Sequence, residues 1–320
     1  MKNIKELDRQ AFALYQQGDY AEAIPLLQRA LEISEKTLGP DHIDIVDILD
    51  KLAIVYERLG QFETAIPLFH RALAICEGVY GTEHIATAAI LDHLACSYNK
   101  NGQYEKALPL YQRLVSIQDI LMPVHEGTAI SLVNLAGVYQ SLGQFDMALP
   151  QYQRALAINE EVLGTEHDRT AEAMNGLAHV FKKLGQYEQA LALFQRVLTL
   201  REKFPGSEHA DTAISLNNLA ELYVNLGQYE QALALYQQTL AIREKILGQD
   251  HHVTVLSMNS LANVYEMLGQ YDKALPLNQR VLTFCEEYLG PDHPVSEASR
   301  DNLAKLYQTI GLCDEALPLH

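Results

Sequence analysis

Apolar positions along the chain fall into two alternating stripes. Between Ala213 and Tyr223, the run AISLNNLAELY places Leu216, Leu219, Ala220 and Tyr223 at i, i+3, i+4 and i+7, the spacing of one face of a helix. Gly227-Gln228 interrupts the run, and glycine accepts the left-handed backbone that closes a helix. A second stripe follows through Tyr229, Ala232, Leu233, Leu235, Tyr236, Leu240 and Ile242, running out near Leu247-Gly248. The pattern predicts two amphipathic helices joined by a tight turn.

The same unit recurs from end to end. Gly18, Gly60, Gly102, Gly143, Gly185, Gly227, Gly269 and Gly311 are spaced 42, 42, 41, 42, 42, 42 and 42 residues apart. An alanine precedes each by seven residues (Ala11, Ala53, Ala95, Ala136, Ala178, Ala220, Ala262, Ala304). Another follows each by five (Ala23, Ala65, Ala107, Ala148, Ala190, Ala232, Ala274, Ala316). Helices crossing about 8–10 Å apart tolerate little more than a methyl group at the contact, so the paired alanines predict close helix–helix crossings. Self-similarity at this period marks a tandem array.

The order Leu219-Ala220, Tyr223, Gly227, Tyr229, Ala232 resembles the tetratricopeptide repeat, whose usual length is about 34 residues. The eight extra residues amount to about two helical turns, so each helix is expected to be one turn longer. Leu247-Gly248-Gln249-Asp250-His251, Asn217-Asn218-Leu219-Ala220 and Tyr271-Asp272-Lys273-Ala274-Leu275-Pro276-Leu277 are similar to the 42-residue repeats of kinesin light chain and its relatives. HEAT-type repeats have a comparable period but lack the aromatic-Gly-aromatic order. The resemblance spans essentially the whole chain, but not a motor-binding heptad coiled coil. It implies an all-α, right-handed superhelical solenoid, a single domain over residues 1–320. The repeats fall at approximately 1–39, 40–81, 82–123, 124–164, 165–206, 207–248, 249–290 and 291–320, the last incomplete. A bend is expected near Met122, where the loop is one residue short and lacks the usual glycine.

Charge narrows the partners. With 24 Lys+Arg against 41 Asp+Glu, the net charge is −17, which disfavours nucleic acid and anionic membranes as partners. No apolar run approaches the ~20 residues of a membrane helix, and the N-terminus lacks a secretory core. Cys76, Cys96, Cys285 and Cys313 lie far apart with no CxxC pair, as reduced thiols do in a cytoplasmic protein.

Seven histidines share the repeat period: His42, His84, His125, His167, His209, His251 and His293. A metal ladder fails on distance, because rungs about 10 Å apart cannot share a zinc with bonds of about 2.0–2.1 Å. These loops are expected instead to cap the next helix through the acid that precedes most of the histidines. Pro25, Pro67, Pro109, Pro150, Pro276 and Pro318 recur within the second helix and are expected to bend it. No GxSxG, P-loop, HExxH or GxGxxG motif is present, so no catalytic, metal or cofactor-binding residue is assigned.

The face of the first helix opposite the core is richer in chemistry. It carries Ile214, Asn217, Glu221, Val224 and Asn225 in one repeat, and the resemblance implies that it lines a concave groove. One rung holds Asp50, Asp92, Val133, Asn175, Asn217, Asn259 and Asp301; the next holds Lys51, His93, Asn134, Gly176, Asn218, Ser260 and Asn302. Asparagine is a mediocre helix former, but its amide donates and accepts together, which suits gripping a peptide backbone. Candidate peptide-binding residues are therefore Asn134, Asn175, His179, Lys182, Lys183, Asn217, Asn218, Glu221, Asn225, Asn259, Asn263 and Asn302. Asp47, Asp50, Glu57 and Asp92 make an acidic zone toward the N-terminal end, and Lys182 and Lys183 a basic one. Relatives of kinesin light chain take peptides with acids flanking an aromatic, which the lysine pair would receive. The expected function is a non-catalytic scaffold binding a protein or peptide. The alternative is self-assembly, end to end, through an uncapped C-terminal turn at Leu317 and Leu319.

Overall fold

A computed structural model describes residues 2–312, with side chains from Ile4 onward. Cys313, Ala316, Leu317, Pro318 and Leu319, and with them the expectations of an incomplete and uncapped last repeat, lie outside the described residues. The described residues form α-helices in alternating first and second positions of the repeat. They are α1 (Lys2–Gln17), α2 (Tyr20–Leu38), α3 (Val46–Arg58), α4 (Phe62–Tyr80), α5 (Ile85–Lys100), α6 (Tyr104–Leu121), α7 (Glu126–Ser141) and α8 (Phe145–Val162). There follow α9 (Asp168–Lys183), α10 (Tyr187–Arg201), α11 (Ala210–Asn225), α12 (Tyr229–Leu247), α13 (His252–Met267), α14 (Tyr271–Leu289) and α15 (Pro294–Thr309). The helices group into two units, Met1–Gly176 and Leu177–His320, divided within α9.

From α1 to α8 in the first unit, and from α10 to α15 in the second, each helix packs on the next, as α1 on α2 and α2 on α3, and α11 on α12 and α12 on α13. In the first unit the first helices of neighbouring repeats also touch, α3 against α5 and α5 against α7. Every described member of the two alanine series is at most 2 % exposed, so the methyl-sized contacts close as the periodicity predicts. The chain turns sharply inside each pair. At Gly60 (φ +72°) the Gly60 N–H donates to the Glu57 carbonyl at 2.9 Å, and the Gln61 N–H to that of Tyr56 at 2.9 Å. These are the two bonds of a Schellman cap, which needs a left-handed residue.

The loop into each first helix is built differently from the carboxylate cap expected above. In all seven loops the histidine imidazole is the cap. Nδ1 of His42, His84, His125, His167, His209, His251 and His293 accepts the backbone N–H two residues on, at 2.9–3.3 Å. The extended backbone at His42, His84, His125, His209, His251 and His293 places Nδ1 where an Asn or Asp oxygen would sit at an N-cap. A threonine on the following turn completes the loop. Thr87, Thr128, Thr170 and Thr212 donate from Oγ1 to the carbonyl six residues earlier, at 2.6–2.7 Å.

Side chains also tie neighbouring repeats together. The Tyr56, Tyr98 and Tyr139 hydroxyls meet Gln28, His70 and Gln112 at 2.8–2.9 Å in the first unit. Tyr223, Tyr265 and Tyr307 meet Gln195, Gln237 and Gln279 in the second at 2.7–3.3 Å. Arg71 reaches back to Glu35 and the Pro40 carbonyl, and Arg113 to Glu77 and the Thr82 carbonyl. The second helices continue through Pro25, Pro67, Pro109, Pro150 and Pro276. At Met122 the chain turns with φ −153°, where the corresponding glycines have positive φ.

Candidate functional site

In the second unit several candidate residues form one polar cluster. Lys182 near the end of α9 donates to Glu221 of α11 at 2.8 Å, and the Asn217 amide donates to the other oxygen of Glu221 at 3.1 Å. The Lys182 side chain is only 11 % exposed, so its charge is already met from within the chain; Lys183 beside it is exposed. His179 packs edge-on against Phe194, ring centroids 5.1 Å apart. Burial first, and then Lys182 and Lys183, push its pKa down to about 4. Glu221 also sits near the Tyr236 phenol, whose pKa is raised chiefly by burial.

The other candidates are not drawn into that cluster. Asn218, one residue from Asn217, is only 8 % exposed, because a step of about 100° carries it round toward the core. Asn225, Asn263 and Asn302 are exposed and Asn259 half-buried. Among the described residues, none of these four side chains makes a hydrogen bond. In the first unit Asn175 is half-buried and engaged. Asn134 lines a crevice of about 40 Å³ with Asn159, Arg169 and Glu172.

Most carboxylates of the acidic zone are already engaged, several of them across neighbouring repeats. Lys51 of α3 reaches Asp8 at 2.8 Å and Asp47 at 2.6 Å. The Asp50 carboxylate meets His93 Nδ1 at 2.6 Å, a bond that holds His93 above the usual histidine range. Glu57 receives Lys100 at 2.7 Å and the Ser97 hydroxyl. Asp92 differs: burial raises its pKa, and its Oδ1 is buried with no hydrogen-bond partner.

Two features escaped the reading of the sequence. Phe12 and Ile54 occupy equivalent positions of α1 and α3, which later repeats fill with Cys96, Gly137, His179, Glu221, Asn263 and Lys305. Phe12 and Ile54 line an apolar cavity of about 170 Å³ with Ala11, Tyr15, Leu27 and Lys51; their apolar character at a face position was the available signal. The histidine caps were signalled by their period, but assigned to the wrong atom. Among the described residues no group of three or more His, Cys, Asp or Glu side chains is placed to hold a metal ion, and no helix is long and apolar enough to cross a membrane.

The tetratricopeptide repeat family model matches residues 6–69, 44–119, 127–203, 170–245, 211–287 and 253–320. Among solved structures, the chain is similar to the nearly identical TPR-like repeats of a putative kinesin light chain from Podosopora anserina. That match has 28% identity and a TM-score of 0.57, covering 63% of this chain and 96% of the other. BtubC (BKLC) from P. vanneervenii is 25% identical with a TM-score of 0.61, covering 73% of this chain and 94% of that one. A tetratricopeptide repeat protein from Parabacteroides merdae shares the fold at 19% identity and a TM-score of 0.64, over 96% of this chain and 100% of its own. No curated protein matches in sequence.

Proposed function

The chain belongs to the tetratricopeptide repeat family, whose repeats generally serve protein–protein interaction, and we propose that the first helices of its repeats grip an extended segment of a partner protein. One observation carries this reading. Asn225, Asn259, Asn263 and Asn302 stand on first helices of successive repeats with side-chain amides that no described residue engages. Each can donate and accept at once, so a row of them meets the alternating N–H and C=O groups of an extended backbone, while pockets between them select side chains. Glu221 and Asn217 extend the polar row, with Lys182 fixing the Glu221 carboxylate. Lys183 supplies an exposed positive charge at the α9 end, which fits an acid on the ligand.

The role is one of binding rather than catalysis, as is typical for this repeat family. Cys76, Cys96 and Cys285 are free thiols, in keeping with a cytoplasmic scaffold. The test is to replace Asn217, Asn259 and Asn263 with alanine, confirm unchanged helicity by circular dichroism, and quantify captured proteins by mass spectrometry. The reading expects specific partners to be lost; capture equal to the parent protein removes these amides from it.

A further inference from the structure

One cavity in the second unit stands out by its charge. α11, α12 and α13 meet around a space of about 90 Å³ lined by Ala210, Ile214, Arg243, Ile246, Leu247 and Val253. Arg243 is half-buried in its wall. Its Nη1 donates to the Ser257 hydroxyl at 2.6 Å and to the Val253 carbonyl at 3.4 Å. Among the described residues Nη2 and Nε have no partner, and no carboxylate forms an ion pair with the guanidinium. Burial alone pulls its pKa down from the usual arginine value, with no acid to offset the effect. In a chain of net charge −17, a half-buried cation without a counter-ion is an unmet demand, because removing one partner from such a pair is costly.

The repeat itself shows what is missing. At the equivalent position one repeat earlier, Arg201 has Asp211 at 3.7 Å. The position 42 residues after Asp211 is Val253. The repeat has kept the guanidinium and exchanged its acid for an apolar wall, which Ile214, Ile246 and Leu247 extend; these three are 40–49 % exposed. The free edge of a guanidinium offers two parallel donors, the geometry that a carboxylate accepts. The volume is that of about three waters, enough for the head and first branch of an aliphatic acid.

We propose that this cavity binds a carboxylate carrying a branched aliphatic group, the carboxylate pairing with Arg243 and the branch resting on Ile214, Ile246 and Leu247. The same chemistry is offered by a free aliphatic acid and by a glutamate flanked by leucines in a partner chain. The probes are isovalerate, its neutral isostere isovaleramide, and the peptide acetyl-Leu-Glu-Leu-amide, each titrated into the whole chain carrying methyl-labelled isoleucine.

Isovalerate is expected to shift the Ile214 and Ile246 methyl signals saturably, with a dissociation constant of roughly 1–10 mM. Isovaleramide is expected to bind at least about tenfold more weakly, the usual worth of a hydrogen-bonded charge. Arg243→Gln should abolish the response. Val253→Asp provides the second variant: it restores the Arg201–Asp211 arrangement, keeps the fold and should abolish binding. Tighter binding of the peptide assigns the source to a partner chain, and tighter binding of isovalerate assigns it to a free acid. Equal binding of isovaleramide, a response that survives Val253→Asp, or no saturable shift with either acid overturns the proposal. Replacing Asn217, Asn259 and Asn263 should leave this titration unchanged, so this reading and the peptide-grip reading can fail separately.

Discussion

Gly176 provides a test of how tightly the first unit is packed. A Cβ added there would lie 2.5 Å from Cζ of Tyr152 and 2.9 Å from its hydroxyl oxygen, where carbon contacts settle at about 3.5–4.0 Å. The ring must move by about 1 Å to admit a methyl group. Tyr152 is buried, and its hydroxyl donates to Gln140 at 2.6 Å. Overpacking of this kind costs about 1–3 kcal/mol, and loosening a buried hydroxyl bond about 1 kcal/mol more. Against this, Gly→Ala within a helix gains about 1 kcal/mol. The net expectation for Gly176→Ala is a loss of about 2 kcal/mol, read as a lower urea midpoint by circular dichroism. In a Tyr152→Ala background the clash is absent and the same change should stabilise by about 1 kcal/mol, so the double-mutant cycle should show a coupling of about 3 kcal/mol. A stabilising Gly176→Ala in the parent, with no coupling, would refute the packing argument.

Three further outcomes are expected. His251→Ala removes the acceptor for the Val253 N–H and should destabilise by about 1 kcal/mol, while His251→Asn, which can place an oxygen there, should retain most of the stability in thermal melts. Asp92→Asn should raise stability at pH 7 by about 1 kcal/mol, because folding buries Oδ1 unpartnered and penalises the charged form; the advantage should shrink on acidification, as the parent carboxyl takes up its proton. His179 is held at about 4 against an ordinary 6.5, so the unfolded chain binds the proton first. Its contribution is complete above about pH 6.5 and falls away toward pH 4. At about 1.4 kcal/mol per pH unit that amounts to at most about 3 kcal/mol, and urea midpoints of His179→Gln should fall less between pH 7 and 4.5 than those of the parent.

The repeat architecture was legible because backbone geometry leaves few substitutes at its key positions. Methyl-sized contacts demand alanine and left-handed turns favour glycine, so Ala220 and Gly227 announce themselves eight times over. The site was less so. Asn217 and Asn218 are neighbours in sequence, yet one is half-exposed and the other is turned into the protein, because a single residue is a step of about 100° round the helix. The two lysines of α9 look alike until Glu221, 39 residues on from Lys182, takes one of them. Which atom caps a helix depends on a side-chain rotamer, so a period in histidine named the loop but not the acceptor. The Arg243 cavity was invisible for a related reason: its meaning lies in Val253, ten residues away on another helix, standing where an earlier repeat has an acid.

Positional cross-linking goes most directly to whether the first helices hold the partner. A photoreactive benzoylphenylalanine is placed at Asn263, exposed on α13, and separately at Gln238, exposed on the second helix α12. On irradiation with partner present, the account predicts a covalent adduct from position 263 and none from 238. Adduct from 238 alone, or equal yields from both, would contradict it.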